Sequence, residues 1–377
     1  MREKRPLLHQ EPLPKSLSQL LAEGVAEGCF PGVAAGIVYG PPSNRKQWQG
    51  FLGQRQIIPE SLPLTEETFF DLASLTKPLA TTLALLALIE EGLFSLETPL
   101  SELLEREVPA DKQQITLRQL LSHSSGLAGH RPYYQELLKI RESERKEEMQ
   151  RLILAEPLVC KPGERAIYSD LGFMLLGWIV AEKSGMRLDS FVREKIYKPL
   201  SLAENLFFRP LDKPWPADKA VAATEQCSWR NKVLLGEVSD DNTHILGGVA
   251  GQAGLFGDLA AVLKLVTHLL DCWQERAVHP AFGNQLLKTF LHREGTPESS
   301  WALGFDTPSP QGSSSGGYFH PDSIGHLGFS GTSFWVDPGR DLVVVLLSNR
   351  IHPSRENTMI QQFRPRFHDA VIDFLSS

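Results

Sequence analysis

The sequence has few cysteines, no cluster of basic residues and no long apolar run, and each absence narrows the function. Its four cysteines, in 377 residues, lack the spacing of metal or redox sites, so we expect buried free thiols. A net charge of −7 without a Lys/Arg cluster argues against a nucleic-acid partner. What remains is an ordinary globular composition, 42% hydrophobic and 22% charged, with ample length for a large core.

Apolar segments of membrane-spanning length are also lacking. The longest helix-like apolar runs, Leu79–Ile89 and Leu171–Ala181, are too short to cross a bilayer and end in charged residues. The positively charged start, Met1–Pro6, is not followed by an apolar stretch of signal-peptide length. We therefore expect a cytoplasmic protein without a membrane partner.

Strand patterns occur at both ends of the chain and a mainly helical pattern lies between them. The sequence predicts strands at Gly32–Gly40, Gln47–Gln56, Ser330–Val336 and Leu342–Ser348, and a closing helix at Phe363–Ser376. The predicted fold class is α+β, an antiparallel sheet built from N- and C-terminal segments and flanked by helices, with an inserted mainly helical subdomain. Residues 1–377 form one domain, with approximate subdomains 1–78 plus 310–377 and 79–309.

The segment Ser74–Lys77 precedes a long apolar helix and carries the first chemical signal. A lysine one helical turn after a serine puts amine and hydroxyl on the same face. A desolvated lysine can accept the hydroxyl proton and make the serine nucleophilic. Ser143–Lys146 has the same spacing but lies in a charged run, which is typical of a solvated helix face. The sequence context therefore favours Ser74, rather than Ser143, as the nucleophile.

Two further segments extend this pattern. Tyr168 lies just before an apolar helix whose N-cap is either Ser169 or Asp170. His326 lies among small residues at the start of a predicted strand, in the segment Gly325–Thr332. A domain junction is where pockets form, so we expect Ser74 to lie in a cleft between the sheet and the helical part.

In this order, Ser-x-x-Lys, Tyr-Ser-Asp and His-x-Gly resemble the motifs of the serine β-lactamase and penicillin-binding-protein superfamily. The sequence is most similar to the branch of class C β-lactamases, D-alanyl-D-alanine carboxypeptidases and esterases, which uses tyrosine in the second motif and often His-x-Gly in the third. The likeness covers nearly the whole chain and includes Leu120–Leu127, Leu246–Gly257 and Leu347–Arg350.

The resemblance implies a role for each motif residue. Ser74 is the nucleophile, Lys77 and Tyr168 share the proton transfer, and His326 is the third-motif catalytic residue. The backbone N–H groups of Ser74 and Phe329 form the oxyanion hole. The residues implied in substrate binding are Asp170, Leu327, Gly328 and Arg350. No metal and no other cofactor is implied.

Three departures from the family pattern concern the substrate. His326 replaces the commoner lysine, and Leu327 replaces a hydroxyl residue, so capture of a substrate carboxylate is weakened and neutral acyl substrates are favoured. Asp170 stands where an asparagine often binds the substrate amide, and a carboxylate cannot donate to a carbonyl. Arg350 could restore a positive charge.

Two other segments are interpreted as structural. His123 is expected to be a loop histidine hydrogen-bonded to backbone, and the glycines of Gly247–Gly257 to let a loop pack closely beside the cleft. The sequence thus predicts a serine hydrolase that forms acyl-Ser74 from a small-molecule ester or small amide, as an esterase or D-amino-acid peptidase with weak β-lactamase activity. A β-lactamase or D-alanyl-D-alanine carboxypeptidase proper remains open, as does a non-catalytic binding protein with this fold.

Overall fold

A mixed β-sheet lies at the centre of the structure, a computed structural model that describes residues 10–376. Most of its neighbouring strands are antiparallel, but the edge strand Gln10–Pro12 pairs in parallel with Lys46–Gln56, which corrects the all-antiparallel prediction. The helix Lys15–Ala26 and the strand Gly32–Tyr39 lie between these two strands in the chain, a connection long enough to allow parallel pairing. In spatial order the sheet contains Gln10–Pro12, Lys46–Gln56, Gly32–Tyr39, Leu342–Ser348, Ser333–Asp337 and Ile324–Leu327, and Leu62–Pro63 pairs with Lys46–Gln56.

Helices cover both faces of this sheet and small strands connect them. The α-helices are Lys15–Ala26, Leu83–Glu90, Leu100–Leu103, Leu117–Leu121, Tyr134–Leu137, Glu142–Ala155, Asp170–Ser184, Leu188–Phe191, Asp241–Ile245, Leu259–Trp273, Asn284–Leu291 and Ile360–Ser376. Short 3₁₀ turns lie at Pro42–Asn44, Ala73–Leu75 and Lys198–Leu200, and π-helical turns at Lys77–Thr82 and Val192–Tyr197. A three-stranded sheet contains Phe70–Asp71, Leu255–Gly257 and Leu206–Phe208, and Gln226–Cys227 pairs with Lys232–Val233.

The strand Gly32–Tyr39 is buried on both faces, which explains its continuous apolar sequence. On one face Val33, Ala35 and Ile37 pack in a cluster with the N- and C-terminal helices. On the other face Ala34 and Val38 join the main core. Burial of a side chain such as Ile37 contributes roughly 1.5–3 kcal/mol to stability.

The helix Leu259–Trp273 packs directly on the sheet, although the sequence analysis assigned it to the helical subdomain 79–309. A Cβ atom on Gly36 would lie 3.1 Å from the side chain of Leu263 and 3.2 Å from that of Leu259, so the absence of a side chain at Gly36 allows this close packing. Periodicity identifies the apolar face of a helix but not the surface that covers it.

The helical segment that begins at the candidate nucleophile is part of the core. Among the described residues, Ala73–Glu90 is the one segment long and apolar enough to span a membrane, with a mean hydropathy of 1.3, and 83% of it is buried inside the structure. Length and composition alone do not separate a core helix from a span, and this segment packs as a core helix. The charged start Met1–Pro6 lies outside the described residues.

All four cysteines are free thiols, as predicted. Cys29, Cys227 and Cys272 are buried, whereas Cys160 is partly exposed. The prediction of burial thus holds for three of the four.

Candidate active site

A cavity of about 620 Å³ lies between the strand Ile324–Leu327 and the helix Asp170–Ser184. A larger, more open concavity of about 940 Å³ beside the helix Glu142–Ala155 contains none of the predicted site residues. The predicted site residues that line the smaller cavity are Ser74, Tyr168, Asp170, His326, Leu327, Gly328, Phe329 and Arg350. Residues separated by more than 250 positions are therefore brought to one cleft, with Lys77 buried directly behind it.

Asp71 holds the turn that presents Ser74. Its Oδ1 accepts the N–H of Ala73 at 2.9 Å and its Oδ2 accepts the N–H of Ser239 at 2.7 Å. Ala73 has a φ of +48°, a left-handed conformation that is costly for an alanine and needs such support. Burial raises the pKa of Asp71 to about 6, so the carboxylate is mainly ionised at neutral pH and both oxygens can accept.

We expect Asp71→Asn to lower the rate of Ser74 acylation by roughly tenfold, because one carboxamide nitrogen would face an N–H donor. Protonation of the wild-type carboxyl has the same effect, so acylation should also decline as the pH falls below about 6. Stopped-flow acylation of both proteins across pH 5–8 measures this, with the exposed Asp218→Asn as the control. An unchanged acylation rate in Asp71→Asn would contradict the positioning role.

Lys77 is fully buried and makes three contacts with its amine. Its Nζ lies 3.1 Å from Ser74 Oγ, 2.7 Å from Asp170 Oδ1 and 3.3 Å from the carbonyl oxygen of Gln252. The same-face geometry predicted for Ser74 and Lys77 is therefore present. The ion pair with Asp170, a residue 93 positions away, is an addition that spacing alone did not predict.

This ion pair decides the charge of Lys77. Burial by itself lowers the pKa of Lys77, but the carboxylate of Asp170 and the hydroxyl of Tyr168 more than offset it, and the pKa lies above its usual value. Burial raises the pKa of Asp170, but Lys77 and His130 more than offset this and hold it well below its usual range. Lys77 is therefore an ammonium at neutral pH, and in this state its amine cannot itself accept the proton of Ser74.

The second serine-lysine pair is exposed, as predicted. Ser143 and Lys146 both lie on the solvent-facing side of the helix Glu142–Ala155, in contrast to the fully buried Lys77. The same spacing thus has a different environment, and only the pair at Ser74 is desolvated.

Tyr168 has an exposed ring edge and a hydroxyl directed into the site. The residue is 37% exposed, and its hydroxyl lies close enough to Lys77 and Ser74 for both to lower its pKa. Lys77 Nζ lies 4.7 Å from the centre of the tyrosine ring. Burial of the hydroxyl raises the pKa of Tyr168, and the neighbouring Lys77 ammonium opposes this by stabilising the phenolate.

Two aromatic residues orient Tyr168. Trp301 stacks on its ring at a centroid distance of 5.2 Å, and His123 lies 4.7 Å away. Nδ1 of His123 accepts the N–H of Ser169 at 3.0 Å, so His123 is hydrogen-bonded to backbone as predicted. Burial holds the pKa of His123 well below its usual value, which makes it a neutral support beneath the tyrosine.

Ser169, not Asp170, is the N-cap of the helix Asp170–Ser184. Its Oγ accepts the N–H of Gly172 at 3.1 Å and donates to the carbonyl oxygen of Ala128 at 2.7 Å. Because the serine caps the helix, the carboxylate of Asp170 in the first turn is free to pair with Lys77. The sequence left open whether Ser169 or Asp170 caps the helix, and these contacts show that it is Ser169.

His326 is a neutral hydrogen-bond acceptor in the site. Its Nδ1 lies 2.9 Å from the carbonyl oxygen of Leu327, so Nδ1 carries the hydrogen and Nε2 carries the lone pair. Burial and the Lys77 ammonium lower the pKa of His326 to about 3. The ring therefore does not supply the positive charge that a lysine would supply in this motif.

Gly328 lets the third motif approach the nucleophile turn. A Cβ atom on this residue would lie 1.9 Å from Thr332 Oγ1 and 2.7 Å from the carbonyl oxygen of Leu72. No larger residue fits there without moving the backbone next to Ser74. In the glycine-rich loop, a Cβ on Gly251 would similarly lie 1.9 Å from the carbonyl oxygen of Phe173, which confirms the predicted close packing beside the cleft.

Two buried arginines lie behind the third motif and line the cavity. Arg350 Nε donates to the carbonyl oxygen of Phe329 at 2.8 Å, and its guanidinium lies 4.6 Å from the ring centre of Phe329. Arg364 Nη2 donates to the carbonyl oxygens of Gly328 at 2.9 Å and Thr332 at 2.8 Å. Neither arginine pairs with a carboxylate within residues 10–376. Their positive charges are therefore uncompensated at this side of the cavity.

The opposite wall of the cavity is acidic. Asp240 caps the helix Asp241–Ile245 and has no cation in direct contact among the described residues. Asp241 is paired with Arg230 and Arg355. In the described part of the chain, no group of three or more His, Cys, Asp or Glu side chains is placed to hold a metal ion.

Sequence reasoning did not identify three residues that shape this site. Asp71, Trp301 and Arg364 act through contacts with Ala73, Tyr168 and Gly328 respectively. Asp71 had a local signal, since an aspartate two residues before a turn residue is typical of an Asx turn. Trp301 and Arg364 had none, because their partners are far away along the chain.

Comparison with known proteins gives the family. The sequence matches the model of the Beta-lactamase family over residues 17–363. It is 29% identical over 366 residues to the "N-acetylmuramyl-L-alanine amidase" of Bacillus subtilis (strain 168), covering 90% of this chain and 81% of that protein. It is 30% identical over 319 residues to a "Putative D-alanyl-D-alanine carboxypeptidase" of Escherichia coli (strain K12), covering 78% and 72%.

Solved structures show the same fold. The penicillin-binding protein homologue from Pyrococcus abyssi superposes with a TM-score of 0.71 at 21% identity, covering 96% of this chain and 77% of that chain. EstCE1, a hydrolase with promiscuous acyltransferase activity, gives a TM-score of 0.70 at 21% identity, covering 93% and 98%. The chain therefore belongs to the Beta-lactamase family, within the serine β-lactamase and penicillin-binding-protein superfamily, and has the β-lactamase/transpeptidase-like fold. This family is one of serine hydrolases, and the match confirms the resemblance inferred from the three motifs.

Proposed function

We propose that the protein hydrolyses small amides that carry a carboxylate beside the scissile bond, through an acyl-Ser74 intermediate. The observation that carries this proposal is the pair of uncompensated guanidinium groups, Arg350 and Arg364, at the third-motif side of the cavity. Arg350 Nη2 and Arg364 Nη1 donate to no acceptor among the described residues, and both arginines line the cavity. A buried positive charge without a counter-ion favours an anionic ligand.

This proposal differs from the expectation of a neutral substrate. That expectation rested on the strand itself, where His326 and Leu327 replace a cation and a hydroxyl. Arg364 comes from the C-terminal helix and supplies positive charge to the same place. The names of the Bacillus subtilis and Escherichia coli relatives both specify a bond to alanine, which is consistent with an amino-acid carboxylate.

Acylation begins at Ser74. Its Oγ attacks the carbonyl carbon while the phenolate form of Tyr168 takes the hydroxyl proton, and the Lys77 ammonium stabilises that phenolate. The N–H groups of Ser74 and Phe329 hold the oxyanion of the tetrahedral intermediate. When the intermediate collapses, the C–N bond breaks and Tyr168 returns its proton to the leaving nitrogen.

Deacylation repeats the same steps with water. Tyr168 takes a proton from the water as its oxygen attacks the acyl carbon, and the ester bond to Ser74 Oγ then breaks. Ser74 recovers its hydrogen from Tyr168. Every proton that leaves a nucleophile is thus returned to a leaving group, and no cofactor enters the balance.

A matched substrate panel tests the proposal. N-acetyl-D-alanyl-D-alanine and N-acetyl-L-alanine are compared with their C-terminal amides, and p-nitrophenyl butyrate and nitrocefin report ester and β-lactam turnover. We expect kcat/KM for a free carboxylate to exceed that of its neutral amide by roughly tenfold or more, the value of one charge-assisted hydrogen bond. Arg350→Met should reduce this preference.

Ser74→Ala is the control in every arm. Its turnover, and its labelling by a fluorophosphonate probe, should be lost. Labelling that does not depend on Ser74, together with no turnover of any substrate, would show a non-catalytic binding protein. Ester turnover with no preference for a carboxylate would favour the esterase alternative, and efficient nitrocefin hydrolysis the β-lactamase alternative.

A further inference from the structure

Arg364 contacts the peptide group that contains the candidate oxyanion donor. The carbonyl of Gly328 and the N–H of Phe329 belong to one amide, and Arg364 Nη2 donates to that carbonyl at 2.9 Å. In a trans peptide the carbonyl and the N–H point in opposite directions. The guanidinium therefore lies behind the amide, and the N–H faces away from it.

A charged donor on the carbonyl strengthens the N–H as a donor. Hydrogen bonds in series polarise one another, and the effect is greater in a water-poor interior. Bonds that involve an ionised group are also stronger than neutral ones. An oxyanion that forms at the Phe329 N–H thus meets an amide that is already polarised in the right direction, with no reorganisation needed during the reaction.

The burial of Arg364 needs an explanation of this kind. The side chain is 5% exposed, its Nε has no hydrogen-bond partner, and it makes no ion pair with any described residue. A buried charge is costly unless its surroundings compensate it. Its second acceptor, the carbonyl of Thr332, also accepts the N–H of Gly328 at 2.7 Å, so the guanidinium closes the turn that carries Phe329. Burial and the nearby Arg350 lower the pKa of Arg364 to about 9, which leaves it charged at neutral pH.

We propose that Arg364 is a positioning residue of the oxyanion hole, which polarises the Gly328–Phe329 peptide and thereby accelerates acylation of Ser74. This role rests on the proposed function, but it is independent of any binding of a substrate carboxylate. The C-terminal helix Ile360–Ser376 thus contributes to the chemistry without touching the reacting atoms.

A neutral ester separates the two roles of Arg364. p-Nitrophenyl butyrate has no carboxylate. With this substrate we expect Arg364→Met to lower the acylation rate constant about tenfold, with little change in KM. The expected loss of rate is smaller than the 10²–10³-fold loss that follows removal of a whole oxyanion donor. The affinity for a neutral alkyl boronic acid, which forms a tetrahedral adduct with Ser74, should fall by a similar factor. The carbonyl stretch of a ¹³C-labelled acyl-enzyme should move to higher frequency, because its hydrogen bond is weaker.

Arg366→Met is the matched control. Arg366 lies on the same helix, is 51% exposed and pairs with Glu23 and Glu27, so this variant removes the same charge away from the turn. Arg364→Lys keeps the charge and one hydrogen bond, and should retain at least a third of the wild-type rate. If Arg364→Met does not fold, the acylation rates of Arg364→Lys and Arg364→Gln are compared instead, since they also contrast a charged with an uncharged side chain.

Three results would overturn this role: an unchanged acylation rate in Arg364→Met, a loss confined to KM, or an unchanged carbonyl frequency. A loss seen only with carboxylate substrates would assign Arg364 to substrate binding alone. Failure of the proposed function is recognised separately, since the wild-type protein would then show no Ser74-dependent burst with any substrate.

Discussion

Lys77→Met is expected to lower the Ser74 acylation rate by about 10³-fold, within the range that a positioned proton-transfer group supplies. The ammonium lies 3.1 Å from Ser74 Oγ and 4.7 Å from the ring centre of Tyr168. Methionine has a similar volume but cannot stabilise the phenolate that accepts the serine proton. The single-turnover rate of acylation, with the acyl-enzyme counted by mass spectrometry, measures the loss.

Stability must be separated from chemistry in this variant. Lys77→Met leaves the carboxylate of Asp170 without its counter-ion, and breaking a buried pair in this way costs about 3–5 kcal/mol. The double variant Lys77→Met/Asp170→Asn removes both charges. It should recover most of the unfolding free energy that Lys77→Met loses, but none of the lost acylation rate. Lys146→Met, at the exposed pair with Ser143, is the control and should change neither. Acylation within tenfold of wild type in Lys77→Met would contradict the role given to Lys77.

Asp170→Asn should move the rising limb of the pH–rate profile to lower pH by about one to two units, the usual effect of a charge at this distance. In the wild type the Asp170 carboxylate raises the pKa of both Lys77 and Tyr168. The acceptor must be unprotonated to take the proton of Ser74, so the rate increases as the pH rises towards its pKa. Without the carboxylate that pKa falls, and the active form is present at lower pH.

At a fixed pH on the rising limb, the acylation rate of Asp170→Asn should therefore be roughly ten times that of wild type or more. His130 contacts Asp170 at 3.5 Å, and its hydrogen bond with Asp170 raises its pKa above the usual value, so the profile is recorded with His130→Asn as well. The control is Asp322→Asn, which is exposed and is not among the residues that line the cavity. A limb that stays in place, or that moves to higher pH, would show that Asp170 does not set the charge state of Lys77 and Tyr168.

Local patterns predicted the elements that carry the motifs. The strand predicted at Gly32–Gly40 is Gly32–Tyr39, and the helix predicted at Phe363–Ser376 is Ile360–Ser376. The strand predicted from Ser330 begins only at Ser333, because residues 328–331 form a turn that brings Gly328 against the carbonyl oxygen of Leu72, two residues before Ser74. That turn depends on a contact with a distant segment, so period-two alternation could not reveal it.

Local sequence alone predicts the candidate catalytic residues, through the order of the three motifs, the one-turn spacing of Ser74 and Lys77, and a tyrosine before a capped helix. Spacing and capping are set within a few residues, so they can be read along the chain. The charge states of the site residues depend instead on contacts made when the chain packs. The pairing of Lys77 with Asp170, and the placement of Arg364 behind Gly328, join residues 93 and 36 positions apart. Coulomb energies change steeply over a few ångströms, and such distances are fixed only when the chain packs.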